Sequence, residues 1–132
     1  MSQENVETVR QAFDSLTRGG VEGLLPFLDP QIRWISIPEF LPDARDHYGH
    51  EGVVRWFEMM SEVLKEPRWE LREIIDGQPI VVGSRISGRG KSSGTPVQIS
   101  VFHVITMANG KATRFESYLT RDEALEAAGL EE

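Results

Sequence analysis

The side chains best suited to chemistry in this sequence are its three histidines, because the chain contains no cysteine. The lack of cysteine excludes thiol nucleophiles, disulfides and thiolate metal sites. His103 stands in an otherwise apolar stretch of the chain. An imidazole in such a place is either a hydrogen-bonding or acid–base group of a pocket, or a core residue bonded to a backbone carbonyl, and the sequence leaves both roles open.

His47 and His50 lie three residues apart and next to Glu51, a spacing that a metal site could use. The pair straddles Gly49, however, and no further cluster of ligand side chains follows nearby. We therefore predict no metal and no organic cofactor. We expect His50 to cap the helix that begins at this point.

Apolar residues at helical spacing predict three helices before Pro67. The first covers residues 3–18 and ends at two glycines, and the second covers residues 21–28 and contains Pro26, which must bend it. The third and clearest helix covers residues 53–64.

A short β-favouring run at residues 32–37 and a long loop at residues 38–49 separate the second and third helices. The loop contains the acidic side chains of Glu39, Asp43 and Asp46. Loop carboxylates are usually only solvated, but a loop of this length could also fold over a pocket.

After Pro67 the pattern changes to strands, which we predict at residues 69–76, 80–90, 95–107 and 112–120. Turn dipeptides separate them, of which Asn109-Gly110 is the strongest hairpin signal. An antiparallel meander is the simplest topology. A capping box that begins at Thr120 predicts a last short helix, with Gly129 just beyond its end.

Length and charge indicate one domain over residues 1–132 with no affinity for nucleic acid or membranes. The net charge is −7, and the first 76 residues carry 15 of the 21 acidic side chains. Such a surface repels phosphate backbones and anionic lipids. The N-terminus is polar, and no apolar run is long enough to span a membrane, so we expect a cytoplasmic protein.

Four segments occur in an informative order: Leu28-Asp29-Pro30 ahead of Ile32-Arg33-Trp34, Tyr48 to Gly52, Phe102-His103-Val104, and Phe115 to Leu119. In this order they resemble the nuclear transport factor 2-like superfamily, and its SnoaL-like branch of polyketide cyclase and ketosteroid isomerase relatives in particular. The resemblance covers almost the whole chain. It implies an α+β fold, a cone-shaped barrel in which three N-terminal helices pack on a curved, mostly antiparallel sheet with a short C-terminal helix.

In such a cone, strand alternation divides the residues between an inner face and an outer face. The residues expected to face inward are Trp34, Ser36, Arg85, Ser87, Val101, His103, Phe115, Ser117 and Leu119. The residues expected to face outward are Ser100, Phe102, Val104, Glu116 and Tyr118. Because three of the outward residues are large and apolar, we expect a homodimer through the outer sheet face, as the family usually forms.

The resemblance also allows the catalytic residues of related enzymes to be compared with the residues at the same positions here. Limonene epoxide hydrolases carry carboxylates at the positions of Ser87 and Ser117, and SnoaL-like cyclases carry one near Ser117. Ketosteroid isomerases place a base near Ser36 and a protonated carboxyl where His103 stands. Serine supplies neither acid nor base of suitable pKa by itself, so none of these mechanisms transfers directly.

The sequence leaves three hypotheses for the role of this protein, two functional and one structural. The first is a cofactor-free isomerase, cyclase or hydrolase acting on a small apolar, oxygenated molecule, with His103 and Arg85 as catalytic residues. The second is a non-catalytic binding domain, and the third is a dimerisation module with a filled core. The expected substrate-binding residues are Trp34, Ser36, Tyr48, Trp56, Ser87, Phe115, Ser117 and Leu119.

Overall fold

The computed structural model describes residues 2–37 and 46–130. The helices are α1 (Ser2–Leu24), α2 (Gly49–Val63) and α3 (Arg121–Ala128), with a short 3-10 helix at Leu25–Phe27. The strands are β1 (Leu28–Ile35), β2 (Asp46–Tyr48), β3 (Leu64–Ile75), β4 (Ile80–Gly90), β5 (Pro96–Ala108) and β6 (Lys111–Tyr118).

The first two predicted helices form one helix that is interrupted at Gly20. This residue has φ 66° and ψ −156°, a conformation that essentially only glycine adopts. Pro26 then lies in the first turn of the 3-10 helix, where its missing N–H costs nothing. The interruption therefore turns the chain so that the 3-10 helix leads directly into β1.

The six strands form one open, mixed sheet in the order β2-β1-β6-β5-β4-β3. Strands β3 to β6 form the predicted antiparallel meander. Strand β1 returns parallel to β6, and β2 pairs antiparallel with β1 at the edge. Three helices packed on this sheet confirm the expected nuclear transport factor 2-like fold, although the sheet does not close into a barrel.

The main core lies on the inner face of the sheet, against α1 and α2. Its fully buried members include Ile32 of β1, Val53 of α2 and Val82 of β4. No helix within the described part of the chain is both long and apolar enough to cross a membrane.

The C-terminal helix α3 covers the outer face of the sheet. Thr120 caps it by accepting a hydrogen bond from the backbone N–H of Glu123, and Gly129 ends it with φ 74°, as the capping box predicts. Its Ala124 and Leu125 are buried against an apolar patch of the outer face. The patch residues are Val81, Phe102, Val104 and Tyr118.

The outward residues expected to be exposed are therefore partly covered by the chain's own helix, and Val104 is only 6% exposed. An ion pair also holds α3 on the sheet, because the guanidinium of Arg121 donates to both carboxylate oxygens of Glu73 on β3 at 3.1 and 3.2 Å. The homodimer was predicted because the outer face was expected to be apolar and exposed. Since α3 covers much of that face, this reason is weakened, and the homodimer stays a prediction.

Candidate functional site

A cavity of about 60 Å³ lies between α1, α2 and the inner face of the sheet. Its lining is almost entirely apolar and largely aromatic. The polar residues that line it, among those the structure describes, are Thr8, Ser36, His103 and Ser117. The cavity is thus a largely apolar space with a few hydrogen-bonding groups in its wall, which is the usual composition of a small-molecule site.

Stacked rings form the wall of the cavity on the sheet side. Trp34 of β1 lies opposite Phe115 of β6 in the parallel pairing, and their rings stack with centroids 4.1 Å apart and planes 9° apart. The ring of His103 lies 4.5 Å from that of Phe115, and the ring of Trp56 from α2 lies 5.6 Å from that of Trp34. Because each pair adds about 0.5–1.5 kcal/mol beyond its burial, this wall is held in a fixed geometry.

His103 lies at the centre of a buried chain of hydrogen bonds that crosses three strands. Its Nε2 is 2.8 Å from Oγ of Ser84 on β4, and its Nδ1 is 2.8 Å from Oγ of Ser117 on β6. Ser84 Oγ also lies 3.3 Å from the carbonyl oxygen of Val101. His103 and Ser117 are register partners, so the β5–β6 pairing itself brings them together.

One assignment of protons satisfies every donor in this chain. If Nε2 of His103 carries the hydrogen, it donates to Ser84, whose hydroxyl donates to the Val101 carbonyl, while Ser117 donates to Nδ1. In the other tautomer, Ser84 donates to Nε2 and Nδ1 donates to Ser117. The Ser117 hydroxyl hydrogen is then available to a further acceptor.

The burial of His103 keeps its imidazole uncharged. The side chain is 5% exposed, and burial lowers its pKa from 6.5 to about 3. Desolvation disfavours the charged form, and two neutral serines cannot compensate for it. The group therefore acts as a neutral donor and acceptor throughout the ordinary pH range.

Arg85 and Ser87 do not face the cavity, and their predicted inward orientation is wrong. Ser84 bonds to His103 and Ile86 lines the cavity, so alternation along β4 turns the residues between them outward. Arg85 lies opposite Glu70 and Ser100 on the outer face. The pattern of β4 itself favours this orientation, because Arg85 and Arg89 alternate with Ile86, and the inward placement followed only from the resemblance.

The other predicted binding residues divide into two groups. Those that line the cavity are Trp34, Ser36, Trp56, Phe115 and Ser117. Tyr48 is 61% exposed on the edge strand β2, where the guanidinium of Arg33 lies 5.9 Å from the centre of its ring. Leu119 is 37% exposed beyond the end of β6, so neither of these two residues contributes to the cavity.

His50, near the start of α2, has a structural position. The N-cap of this helix is Tyr48, so the predicted capping role of His50 is wrong. Nε2 of His50 instead lies 2.9 Å from the carbonyl oxygen of Leu28 and joins the helix to β1. Within residues 2–37 and 46–130, no group of three or more histidine and carboxylate side chains could hold a metal ion.

Of the loop carboxylates, Asp46 pairs with Arg33 at 3.3 Å, and both side chains are 42% exposed. Glu39 and Asp43 lie outside the described residues.

Ser84 is the residue that sequence reasoning missed. Its signal is a single serine at the end of the apolar run Ile80 to Gly83, since a buried hydroxyl in such a strand requires a partner.

Comparison with known proteins agrees with this fold. A family model described as the SnoaL-like domain matches residues 9–115. A protein of unknown function with the nuclear transport factor 2-like fold from Burkholderia pseudomallei K96243 shares 25% identity, with a TM-score of 0.79 over 95% of this chain and 97% of that one. A nuclear transport factor 2-like protein from Burkholderia xenovorans LB400 shares 29% identity, with a TM-score of 0.74 and 97% of both chains covered.

A candidate SnoaL-like polyketide cyclase from Jannaschia sp. CCS1 shares 20% identity, with a TM-score of 0.73 over 98% of this chain and 93% of that one, and at this identity the likeness shows the fold alone. No protein with a curated description matches the sequence. The family model covers well over half of the chain. On that ground the chain belongs to the SnoaL-like domain family.

Proposed function

We propose that this chain binds a small, flat, uncharged molecule that carries a carbonyl or hydroxyl oxygen, in the cavity between α1, α2 and the sheet. The observation that carries the proposal is the buried chain of Ser84, His103 and Ser117 in the wall of an otherwise aromatic cavity. A core that binds no ligand would be more stable with apolar side chains at these positions, because burying a polar group costs free energy unless a partner satisfies it.

The aromatic wall favours a flat ligand. Trp34, Trp56 and Phe115 line the cavity, and aromatic side chains pack well against a flat ring. The cavity is small compared with the roughly 300–1,000 Å³ of typical ligand sites, so a ligand is limited to about one ring unless the lining moves apart. Met107 is the lining residue best suited to such movement, because its side chain is unbranched.

The lining also favours an uncharged ligand. None of the described lining residues is an acid, a lysine or an arginine. An ionised carboxylate would therefore lose its hydration without gaining a countercharge, at a cost of several kcal/mol. Among the described residues, the lining also offers no set of side chains that could bind a metal ion.

Ser117 is the group that would contact the ligand oxygen. When the imidazole hydrogen of His103 is on Nε2, Ser117 donates its hydroxyl hydrogen to Nδ1. Its oxygen can then still accept a hydrogen bond, which suits a hydroxyl ligand. In the other tautomer the hydrogen is free to donate to a carbonyl, at the expense of the bond from Ser84 to Val101. The hydrogen-bond chain can thus serve either oxygen without a change of charge.

Binding without catalysis agrees better with this site than acid–base catalysis does. A base with a pKa of about 3 abstracts protons from carbon poorly at neutral pH. Arg85 lies on the opposite face of the sheet and cannot stabilise an oxyanion in the cavity. The alternative is an isomerase or cyclase in which neutral His103 polarises a carbonyl through Ser117, and that reaction would need a base from another part of the chain.

The test compares acetophenone with ethylbenzene, which has the same skeleton but lacks the oxygen. We expect calorimetry to give tighter binding of acetophenone, and Ser117→Ala to remove that preference while binding of ethylbenzene persists. Ser87→Ala on the outer face is the matched control and should leave both affinities unchanged. Equal affinities for both probes, or no binding of either, would contradict the proposal. Turnover of enolisable ketones that disappears in His103→Phe would instead favour the enzyme.

A further inference from the structure

A groove of about 590 Å³ lies open on the outer face of the sheet, where the first residues of β3 and β5 meet the last residues of β4. This volume is within the range of roughly 300–1,000 Å³ that is typical of ligand sites. The groove lies away from the apolar patch that α3 covers, and it shares no described lining residue with the inner cavity. It is therefore a separate candidate site.

The pairing of the strands places three arginines around the short side chain of Ser87. Ser87 lies opposite Arg68 on β3 and opposite Gln98 on β5. Arg85 and Arg89 are two residues before and after it on β4, so they share its face of the sheet at a distance of about 7 Å along the strand. Because an arginine side chain is about as long as these separations, all three guanidinium groups can meet over Ser87.

The positive charge of these three arginines is not neutralised by their neighbours. None of the three forms an ion pair with any residue that the structure describes. Glu70 stands directly opposite Arg85, but its carboxylate lies 3.4 Å from Arg72 instead. Glu66 is the one carboxylate among the described lining residues of the groove. Like charges on neighbouring strands destabilise a sheet, and a bound anion would remove this repulsion.

A bulge in β3 forms one side of the groove. Glu66 and Pro67 stand opposite the single residue Gly88, and Glu66 has φ 52°, a left-handed conformation that few residues other than glycine adopt. Bulges bend a strand and change the direction of its side chains, and they are frequent beside functional sites. This bulge immediately precedes Arg68, the arginine that the edge strand contributes to the groove.

We propose that this groove is a second ligand site, which binds the phosphate monoester group of a small molecule over Ser87. Such a group carries nearly two negative charges at pH 7 and three terminal oxygens, which suit three arginines beside one glutamate. The hydroxyl of Ser87 and the amide of Gln98 can donate to the same oxygens. The net charge of −7 repels a long polyanion, so the ligand is a single phosphate group and not a nucleic acid backbone.

Glycerol 2-phosphate tests the inference on the full chain, because it has a phosphate monoester and no aromatic ring that could enter the inner cavity. The titration is followed by backbone amide signals in a ¹⁵N-edited spectrum at constant ionic strength. We expect the signals of Ser87, Gly88 and Gln98 to move and that of His103 to stay in place. Glycerol should move none of them, and succinate, a dianion with its charges on two separate carboxylates, should bind more weakly.

Substitutions in the groove should weaken this binding specifically. Arg68→Gln and Arg89→Gln should each weaken glycerol 2-phosphate roughly 5- to 30-fold, the lower part of the range for a charge-assisted hydrogen bond, because the groove is open to solvent. Arg55→Gln is the matched control. Arg55 is exposed on α2, so this variant loses the same charge at a distance over which salt screens it, and the affinity should change less than about twofold.

Amide signals of the groove that do not move would overturn the inference. A dimer in sedimentation together with unmoved signals would overturn it as well, since the arginines would then serve a second copy of the chain. Equal weakening by Arg55→Gln and by the groove variants would show that only the overall charge matters, and succinate that binds as tightly as glycerol 2-phosphate would show that the groove does not recognise phosphate. The binding of acetophenone in the inner cavity is independent of all these results.

Discussion

Lowering the pH should destabilise this protein through one buried histidine. The pKa of His103 is 6.5 in an unfolded chain and about 3 in the folded one. Its contribution to stability is therefore complete above pH 6.5 and is lost as the pH falls towards 3. At pH 5 an unfolded histidine is protonated in a ratio of about 30 to 1, which stabilises the unfolded state by about 2 kcal/mol. This value hardly depends on how far below 5 the folded pKa lies.

Urea unfolding of the wild type and of His103→Gln, at pH 8, 6.5 and 5, measures this contribution. Glutamine offers a donor and an acceptor to Ser84 and Ser117 but does not titrate. The remaining titratable groups are the same in both proteins and cancel in the difference. The wild type should lose about 2 kcal/mol more than the variant between pH 8 and pH 5. Equal losses would mean that His103 is solvated or charged in the folded state, and the reasoning would be refuted.

Two pairs of matched substitutions test the packing around the site. A Cβ at Gly23 would overlap the backbone oxygen of Ser15, so Gly23→Ala should lower the free energy of unfolding by about 1–3 kcal/mol. Gly19→Ala in the same helix meets nothing within 4 Å and should be neutral or stabilise by about 0.5–1 kcal/mol, and equal effects in urea would contradict this. Ala124→Arg places a charge at a fully buried position of α3 and should displace the helix, exposing the apolar outer patch to a hydrophobic dye. Ala127→Arg on the exposed side should change stability by less than about 0.5 kcal/mol and bind no dye; dye binding by both, or by neither, would contradict the assigned packing.

Local signals in the sequence were sufficient for most of the fold. Asn109 and Gly110 have φ of 53° and 78°, the left-handed pair that their dipeptide predicts for the turn between β5 and β6. The capping box at Thr120 also starts a helix where expected. These features depend on neighbouring residues only, and for that reason propensity and turn chemistry find them.

The features that the sequence did not reveal depend on contacts between distant segments. The register of β4 with β3 and β5 places Arg85 on the outer face, whereas the resemblance had placed it inside. Helix α3 was predicted, but the face it covers was not, because a short helix of this kind can pack on either side of a sheet. The strand β2 has three residues and lay within a predicted loop.

Ser84 and Ser117 keep the groups around His103 uncharged. An ionised carboxylate at the position of Ser117 would carry a desolvation cost of several kcal/mol, whether it stood alone or formed a buried ion pair with a protonated His103. A serine on each side of the imidazole avoids both outcomes, because the three groups exchange neutral hydrogen bonds only. The same neutrality that weakens acid–base catalysis lets an uncharged aromatic ketone enter without displacing a counterion. It follows that ligand binding should stay independent of pH above about 5, while stability already declines below pH 6.5.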